Sequence, residues 1–478
     1  MPAARSPLPW VALGVVAVLL VAGDRYGFHR DELYLVEAGR HPDLAYPDQP
    51  APVPLLAAWW YDLSGGDLRW FRLLPALAAG VVVLAAGLTA RELGGDRRDQ
   101  TWTALVVGTA TTLLVAGHLF GTTVFDMALT AVTVWLLLRA VRRGRDPGAW
   151  ALAGASAGAA LAVKTLPLLV LGCCLLALLL VGPRTALRSP WPWLATGLAC
   201  LGLVPSLLWQ ATNGWPQLDM AASIGGGGSG TSTDRWLLPL LLPTLTGATF
   251  VLVVVGAVAL WRDRSLRWLA VAAVLLVGAL VATGGKPYYA FGLVPVLVAA
   301  GVATARRWAG TRRARRGLLV GLVGLNAGVS AVLALPLLPA SRAPVDVVYD
   351  HGEQVGWPEY VDTVAAAAAE GEAQLVLTGN YGQAGALDLA RRQGVTLPPV
   401  ASGHVGYWHW SRPEGEPSRV LVVGLDDAAG RLFGRCDVVA TVDNAAGLDN
   451  DERGTTLRMC SGPTTDWDAL WPRLRRTG

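Results

Sequence analysis

Lysine is almost missing from this sequence. Of the 39 Lys and Arg residues in a chain of 478, only Lys164 and Lys286 are lysine. Charge of either sign is scarce: 15% of the residues are Asp, Glu, Lys or Arg, where an average soluble protein has about 25%. Hydrophobic residues make up 53% and long uncharged runs recur up to residue 340, which excludes an ordinary soluble domain and predicts a polytopic helical membrane protein. The net charge of +4 gives no support to a nucleic-acid partner. There is no HExxH, no CxxC pair, no P-loop and no nucleophile elbow, so nothing points to a zinc hydrolase, a nucleotide-phosphate cradle or a serine esterase. Cysteine is sparse too. Cys173, Cys174 and Cys200 fall in apolar runs as inert packing residues. Cys436 and Cys460 fall in the polar C-terminal part and could pair if that part lies outside the cell.

A spanning helix needs about 20 apolar residues. On that rule about eleven spans are expected, near 8–23, 71–93, 101–117, 123–141, 149–163, 165–181, 191–211, 237–261, 267–283, 288–305 and 317–338. The first run has no convincing cleavage site and is expected to be a retained helix. Arginine clusters follow the even-numbered spans, at Arg97-Arg98, Arg142-Arg143, Arg184 with Arg188, Arg262 with Arg264, and Arg306 to Arg316. The positive-inside rule puts those loops and the N-terminus in the cytoplasm, and the first loop and everything after 340 outside. Residues 50–63 are Pro-rich and too short to span. They suit a helix lying at the interface, with Trp59, Trp60 and Tyr61 at headgroup level. The Gly-rich loop 212–236 reads as a slack connector or, more sharply, a gate.

Beyond residue 340 the apolar runs shorten to strand length, at 374–378, 420–424 and 438–442, and alternate with helical segments at 360–370, 384–393 and 426–433. That alternation predicts a small extracytoplasmic α/β domain. The expected division is a membrane module, 1–340, and an outer domain, 341–478.

The chemistry-bearing groups gather at predicted outer ends. Asp31-Glu32 opens the first loop, which also holds Glu37, Asp43 and Asp48. Such a pair is either an ordinary solvated loop or a working one, in which one carboxylate acts as general base and the other orients it or binds a divalent cation. Both lysines fall at outer span ends, against the positive-inside bias. An ammonium there either snorkels to headgroups or serves as a point charge for phosphate. Lys286 sits in the turn Gly284-Gly-Lys-Pro-Tyr-Tyr289 with Tyr288 and Tyr289. In Gly117-His-Leu-Phe-Gly-Thr-Thr-Val-Phe-Asp126, Asp126 is either a capping acid spaced from Thr123 or a cavity residue beside His118. The segment Gly379-Asn-Tyr-Gly-Gln-Ala-Gly385 lacks GxGxxG spacing and is read as a structural turn or an acceptor contact. An acid, a cation and hydroxyls suit displacement of a phosphate leaving group better than metal-assisted hydrolysis.

Arg30-Asp-Glu-Leu-Tyr34 with Tyr46-Pro-Asp-Gln-Pro50, the Asp126 turn, Lys164 and Gly285-Lys-Pro-Tyr-Tyr289 resemble the bacterial family-39-type glycosyltransferases. These are relatives of the protein O-mannosyltransferases and the aminoarabinose transferases. The C-terminal Gly356-Trp-Pro358 and Asn380-Tyr-Gly-Gln-Ala-Gly385 are similar to the outer domain of bacterial members. The resemblance implies a GT-C fold in the bacterial cytoplasmic membrane and a polyprenyl-phosphate-linked sugar donor. It also implies inverting transfer on the extracytoplasmic face to an envelope glycan, lipid or protein acceptor, though the luminal repeat domain that accompanies protein acceptors is absent. Carried over, Asp31 would be the base, with Glu32 beside it. Lys286 with Lys164 would bind the donor phosphate, and Tyr288 and Tyr289 would line its lipid end. Asp126, His118, Tyr34, Asp48 and Gln49 would contact substrate. No catalytic metal or other cofactor is implied. The competing expectations are a transporter or flippase of a lipid-linked or anionic solute, whose ionisable groups would sit at mid-membrane, and a non-catalytic scaffold.

Overall fold

The computed structural model describes residues 6–225, 235–425 and 431–476. The Gly-rich run from 226, weighed as connector or gate, lies outside the described residues, as does most of the expected helix 426–433. The chain forms two compact units. The first comprises Met1–Gly23, Arg72–Trp209 and Ile224–Leu335, and the second Asp24–Phe71, Gln210–Ser223 and Pro336–Gly478. The first loop, expected to belong to the membrane module, groups with the C-terminal stretch.

The first unit is helical. Among the described residues four helices are long and apolar enough to cross a bilayer: Leu68–Glu92, Thr122–Arg143, Pro287–Ala309 and Arg313–Ala334. Two bent pairs, Trp191–Leu201 with Val204–Thr212 at 47° and Leu238–Leu245 with Gly247–Arg262 at 109°, bring the count to six if each is one span. The chain is thus an integral membrane protein, and four to six of the expected eleven spans meet that length among the described residues. Leu8–Ala22, Pro147–Val163, Leu166–Val181 and Arg267–Thr283 are apolar helices of 15 to 17 residues. At 1.5 Å per residue they are about 22–26 Å long, short of a hydrocarbon core of about 30 Å. The expected span 101–117 is two pieces, Arg97–Gly108 and Thr111–Gly117. Its break is held by a polar partner: the buried Asn326 donates from Nδ2 to the Thr109 carbonyl at 2.9 Å. Hydropathy reads composition, and such a side-chain bond across the bundle leaves no trace in it.

The second unit is built on a mixed five-stranded sheet, β1 (Leu375–Thr378), β2 (Val400–Ser402), β3 (Arg419–Val423), β4 (Phe433–Thr441) and β5 (Thr456–Pro463), in the order β2-β1-β3-β5-β4. β2, β1 and β3 run parallel, and β5 and β4 are added antiparallel. The expected strands at 374–378, 420–424 and 438–442 correspond to β1, β3 and the end of β4. Strands β2 and β5 were not foreseen, because one is very short and the other is broken by polar residues. Alternation on the central strands makes two apolar faces. Leu375, Leu377, Val420 and Val422 pack with Trp467 and Trp471. Val376, Leu421 and Val423 pack with Val364, Leu387, Leu33 and Tyr34.

Leu33 and Tyr34 belong to the stretch read as a polar loop. It is instead an 11-residue helix, Arg30–Arg40, with residues 32–38 buried. It packs along the helix Tyr381–Arg392 at Gly382 and Gly385. A Cβ on Gly382 would come within 2.6 Å of Arg30 Cβ, and one on Gly385 within 3.0 Å of Leu33 Cβ. These glycines therefore serve helix–helix approach.

Cys436 and Cys460 face each other across β4 and β5 and form a disulfide. With a sequence separation of 24, its loss should cost about 3 kcal/mol. The Cys436→Ser chain should melt lower than wild type, and reductant should lower the wild type to the same midpoint. Equal melting of all three would show that the cross-link carries no stability.

Candidate functional site

Asp31 lies in the first turn of the helix Arg30–Arg40. The helix start is closed by a capping box: His29 Nδ1 accepts from the Asp31 amide at 3.1 Å, and Glu32 Oε2 accepts from the His29 amide at 2.8 Å. Glu32 is thereby 1% exposed and held against backbone, whereas the Asp31 side chain is 52% exposed. Asp31 Oδ1 accepts the hydroxyl of Tyr381 at 2.7 Å. Nothing in the spacing of the two acids separates these roles; the capping geometry does.

A second acid stands in the same cluster. Tyr34 donates to Asp48 Oδ1 at 2.8 Å, and the Tyr34 and Tyr381 rings lie 4.9 Å apart. Burial pushes the Asp48 carboxyl up to about 7, despite the Tyr34 bond, and the charge of Asp31 adds to the effect. Tyr34 and Tyr381 are themselves held well above the usual phenol range, by burial first and by Asp48 and Asp31 respectively. Both therefore remain hydroxyl donors. Gln49 is buried, and its carbonyl accepts from the Tyr46 amide at 2.8 Å, which closes the turn around Asp48.

Tyr381 is fixed from both sides. The His404 ring stacks on it at 5.0 Å, and His404 Nδ1 accepts the Tyr381 amide at 3.3 Å. Burial, with Arg476 and Arg30 nearby, drops His404 to about 3, so it is a neutral ring. On the other side the Arg30 guanidinium lies 5.6 Å from the Tyr381 centroid. Arg30 Nε pairs with Glu353 at 2.8 Å and Nη1 with Asp451 at 3.5 Å, while Tyr349 bonds Asp451. Burial lifts Glu353 to about 7, which Arg30 only partly offsets. Among these residues Arg30 and Tyr381 lie inside motifs singled out in the sequence, but Glu353, His404, Tyr349 and Asp451 were missed. They stand hundreds of residues from Asp31, and no local pattern marks them.

The first unit has its own polar group. Lys164 ends the helix Pro147–Val163. Its Nζ donates to Thr123 Oγ1 at 3.1 Å and lies 5.9 Å from the ring centroids of both Tyr288 and Tyr289. Asp126, one turn beyond Thr123, accepts from Thr130 at 3.0 Å. The helix Thr122–Arg143 starts at Gly121 with no side-chain cap, so Thr123 binds Lys164 where a capping box was one expectation. Thr123, Asp126, Thr130, Tyr288 and Tyr289 line a cavity of about 10 Å³, room for about one water. Lys286 precedes a 3-10 turn, Pro287–Leu293, which carries both tyrosines. His118 is buried, with Nδ1 3.3 Å from the Leu114 carbonyl. Among the described residues no group of three or more His, Cys, Asp or Glu is placed to hold a metal ion.

Residues 48–209 match the family model described as dolichyl-phosphate-mannose-protein mannosyltransferase. A search of curated proteins found no match. Among solved structures, ArnT from Cupriavidus metallidurans bound to undecaprenyl phosphate is similar over 96% of this chain and 98% of its own, with a TM-score of 0.60 and 15% identity. The same protein in the apo state gives 0.58 at 15% identity, over 94% and 97%. The arabinofuranosyltransferase AftD from Mycobacteria gives 0.57 at 15% identity, over 97% of this chain but 42% of its own. The GT-C fold expected from the sequence motifs is the fold of this chain, and the resemblance to the mannosyltransferase family is borne out over residues 48–209.

The Asp48 environment has a measurable consequence. Its ordinary value is 3.8 and its folded value about 7. Between these pH values the folded chain keeps a proton that the unfolded chain releases, so stability falls as pH rises through that window. Glu353 acts in the same direction. In Asp48→Asn the fall in melting temperature from pH 4 to 7 should be shallower than in wild type. An unchanged slope would remove Asp48 as a source.

Proposed function

We propose that this chain is an inverting glycosyltransferase that moves a sugar from a polyprenyl-phosphate donor to a cell-envelope acceptor. The observation that carries the reading is Asp31: a half-exposed carboxylate at a capped helix start, aimed by a tyrosine hydroxyl. The GT-C fold, the family match over residues 48–209 and the likeness to a transferase bound to undecaprenyl phosphate support it.

In this reading an acceptor hydroxyl gives its proton to Asp31 as its oxygen attacks the anomeric carbon of the sugar. The bond from that carbon to the phosphate oxygen breaks, and the lipid phosphate leaves with the electron pair. Lys286, assisted by Lys164, neutralises the phosphate charge, and Tyr288 and Tyr289 line its lipid end. Asp126 and His118 contact the donor side, and Tyr34 and Asp48 frame the acceptor near Asp31. Glu32 supports Asp31 through the cap and has no proton-transfer step of its own. The chemistry assigns no step to a metal. The site faces the extracytoplasmic side of a bacterial cytoplasmic membrane, with the N-terminus inside. The arginine-rich loops and a disulfide in the sheet unit, which suits an oxidising compartment, support that orientation.

General-base removal typically costs 10²–10⁴-fold. Purified Asp31→Asn should therefore lose transfer by about that factor, measured with polyprenyl-phosphate sugars and mass spectrometry of products, while membrane insertion and melting stay as in wild type. Lys286→Ala should raise the donor KM, with Lys164→Ala weaker in the same direction. Normal transfer by Asp31→Asn removes the base assignment.

A further inference from the structure

The second unit contains a depression far larger than the cavity beside Lys164. It has a volume of about 560 Å³, within the range of small-molecule sites. One wall is polar, formed by Arg40 and His41 at the end of the helix Arg30–Arg40 and by Arg392 at the end of the helix Tyr381–Arg392. The other is the face Leu55, Ala58, Trp59 and Asp62 of the helix Pro52–Leu63.

The polar wall is tied together by hydrogen bonds. Arg392 grips Glu37 through Nη2 at 2.7 and 2.6 Å and through Nε at 3.3 Å. Glu37 also meets His41 Nε2 at 3.2 Å, and the His41 ring stacks on Trp410 at 5.0 Å and 11°. The acid stays below the ordinary carboxylate range because His41 and Arg392 outweigh its burial. Arg40 pairs with Asp62. Arg40 Nε is buried and has no hydrogen-bond partner among the described residues. Of the three consecutive aromatics expected at headgroup level, Tyr61 is buried against Phe28 and Phe71, and Trp60 donates to the Trp70 carbonyl. Trp59 stands 58% exposed on the groove.

The charges decide the class of occupant. Each arginine comes with its own carboxylate, Arg40 with Asp62 and Arg392 with Glu37, so the arginine charges are balanced and the wall offers both donors and acceptors. That suits a hydroxyl, which gives and takes, better than a phosphate, which only accepts. The exposed indole beside it offers an apolar plane against which the C–H face of a sugar ring packs. Nine residues of helix separate Arg40 from Asp31, about 14 Å at 1.5 Å per residue. One monosaccharide cannot cover that length; an oligosaccharide can.

We propose that this groove binds a neutral, hydroxyl-rich glycan, the distal part of the acceptor whose reacting hydroxyl lies at Asp31. The role as acceptor rests on the transferase reading; binding itself does not. The test uses the full chain in nanodiscs with no donor present. Linear neutral hexasaccharides (an α-glucan, a mannan and an arabinan) are examined by saturation-transfer NMR, with inorganic phosphate as the charged control. At least one hexasaccharide should show ring-proton saturation that falls five-fold or more in Trp59→Ala and in Asp62→Asn. Transfer by the wild-type chain is measured in parallel with donor added; saturation without transfer leaves the groove proposal standing and removes only the acceptor role, so failure of the catalytic reading is seen separately. Trp59 is exposed, so its loss leaves the fold intact, which an unchanged melting temperature verifies. Three results overturn the proposal: no saturation with any hexasaccharide, saturation that survives Trp59→Ala, or binding of phosphate alone. Quenching by brominated lipid that vanishes in Trp59→Phe overturns it as well, since the wall would then face the bilayer.

Discussion

The second unit depends on how closely two helices approach. Arg30–Arg40 can lie along Tyr381–Arg392 only because Gly382 and Gly385 carry no side chain where Arg30 and Leu33 arrive. That approach places the Tyr381 hydroxyl on Asp31 at one end and Arg392 on Glu37 at the other. A methyl group at either glycine would push the helices apart and loosen both contacts together. The acid-bearing stretch is therefore held by the sheet unit, and the segment read as a loop is a buried part of that unit's core.

The ion pairs on this helix contribute geometry more than stability. Arg30 with Glu353 is a largely buried pair, and Glu37 with Arg392 joins a buried acid to a half-exposed arginine. Removing such charges from water costs about as much as their attraction returns. What they supply is orientation. Arg30 cannot leave Glu353 without giving up its place over Tyr381, and Tyr381 cannot swing away while His404 stacks behind it.

The legible parts of the sequence were those with a local signature. Uncharged runs gave the membrane unit, strand-length runs gave β1 and β3, and the Arg30–Tyr34 and Lys286–Tyr289 motifs pointed to the GT-C fold. Length was overestimated where hydropathy is blind to breaks: the run 101–117 stays apolar across Thr109, where Asn326 ends the helix from another part of the bundle. The capping role of Glu32 was hidden because a capping box normally opens with Ser, Thr, Asp or Asn, and here His29 takes that place. Glu353, His404 and Asp451 were unreadable for another reason. Their meaning comes entirely from partners far along the chain.

The cluster also separates two carboxylates that composition alone would treat as equals. Environments that push paired acids apart are how one site holds both a proton donor and a proton acceptor. Asp48 lies against Tyr34 in a buried turn, and burial keeps its proton on toward neutrality. Asp31 instead stands half in solvent at a helix start, with one oxygen fixed by Tyr381. In the second arrangement Oδ2 lies 4.0 Å from His29 Nδ1, too far for a hydrogen bond, and can meet an incoming hydroxyl. In the proposed transfer Asp31 is the acceptor by access and Asp48 the holder by burial. The tyrosines between them, locked as donors, keep the two roles from exchanging.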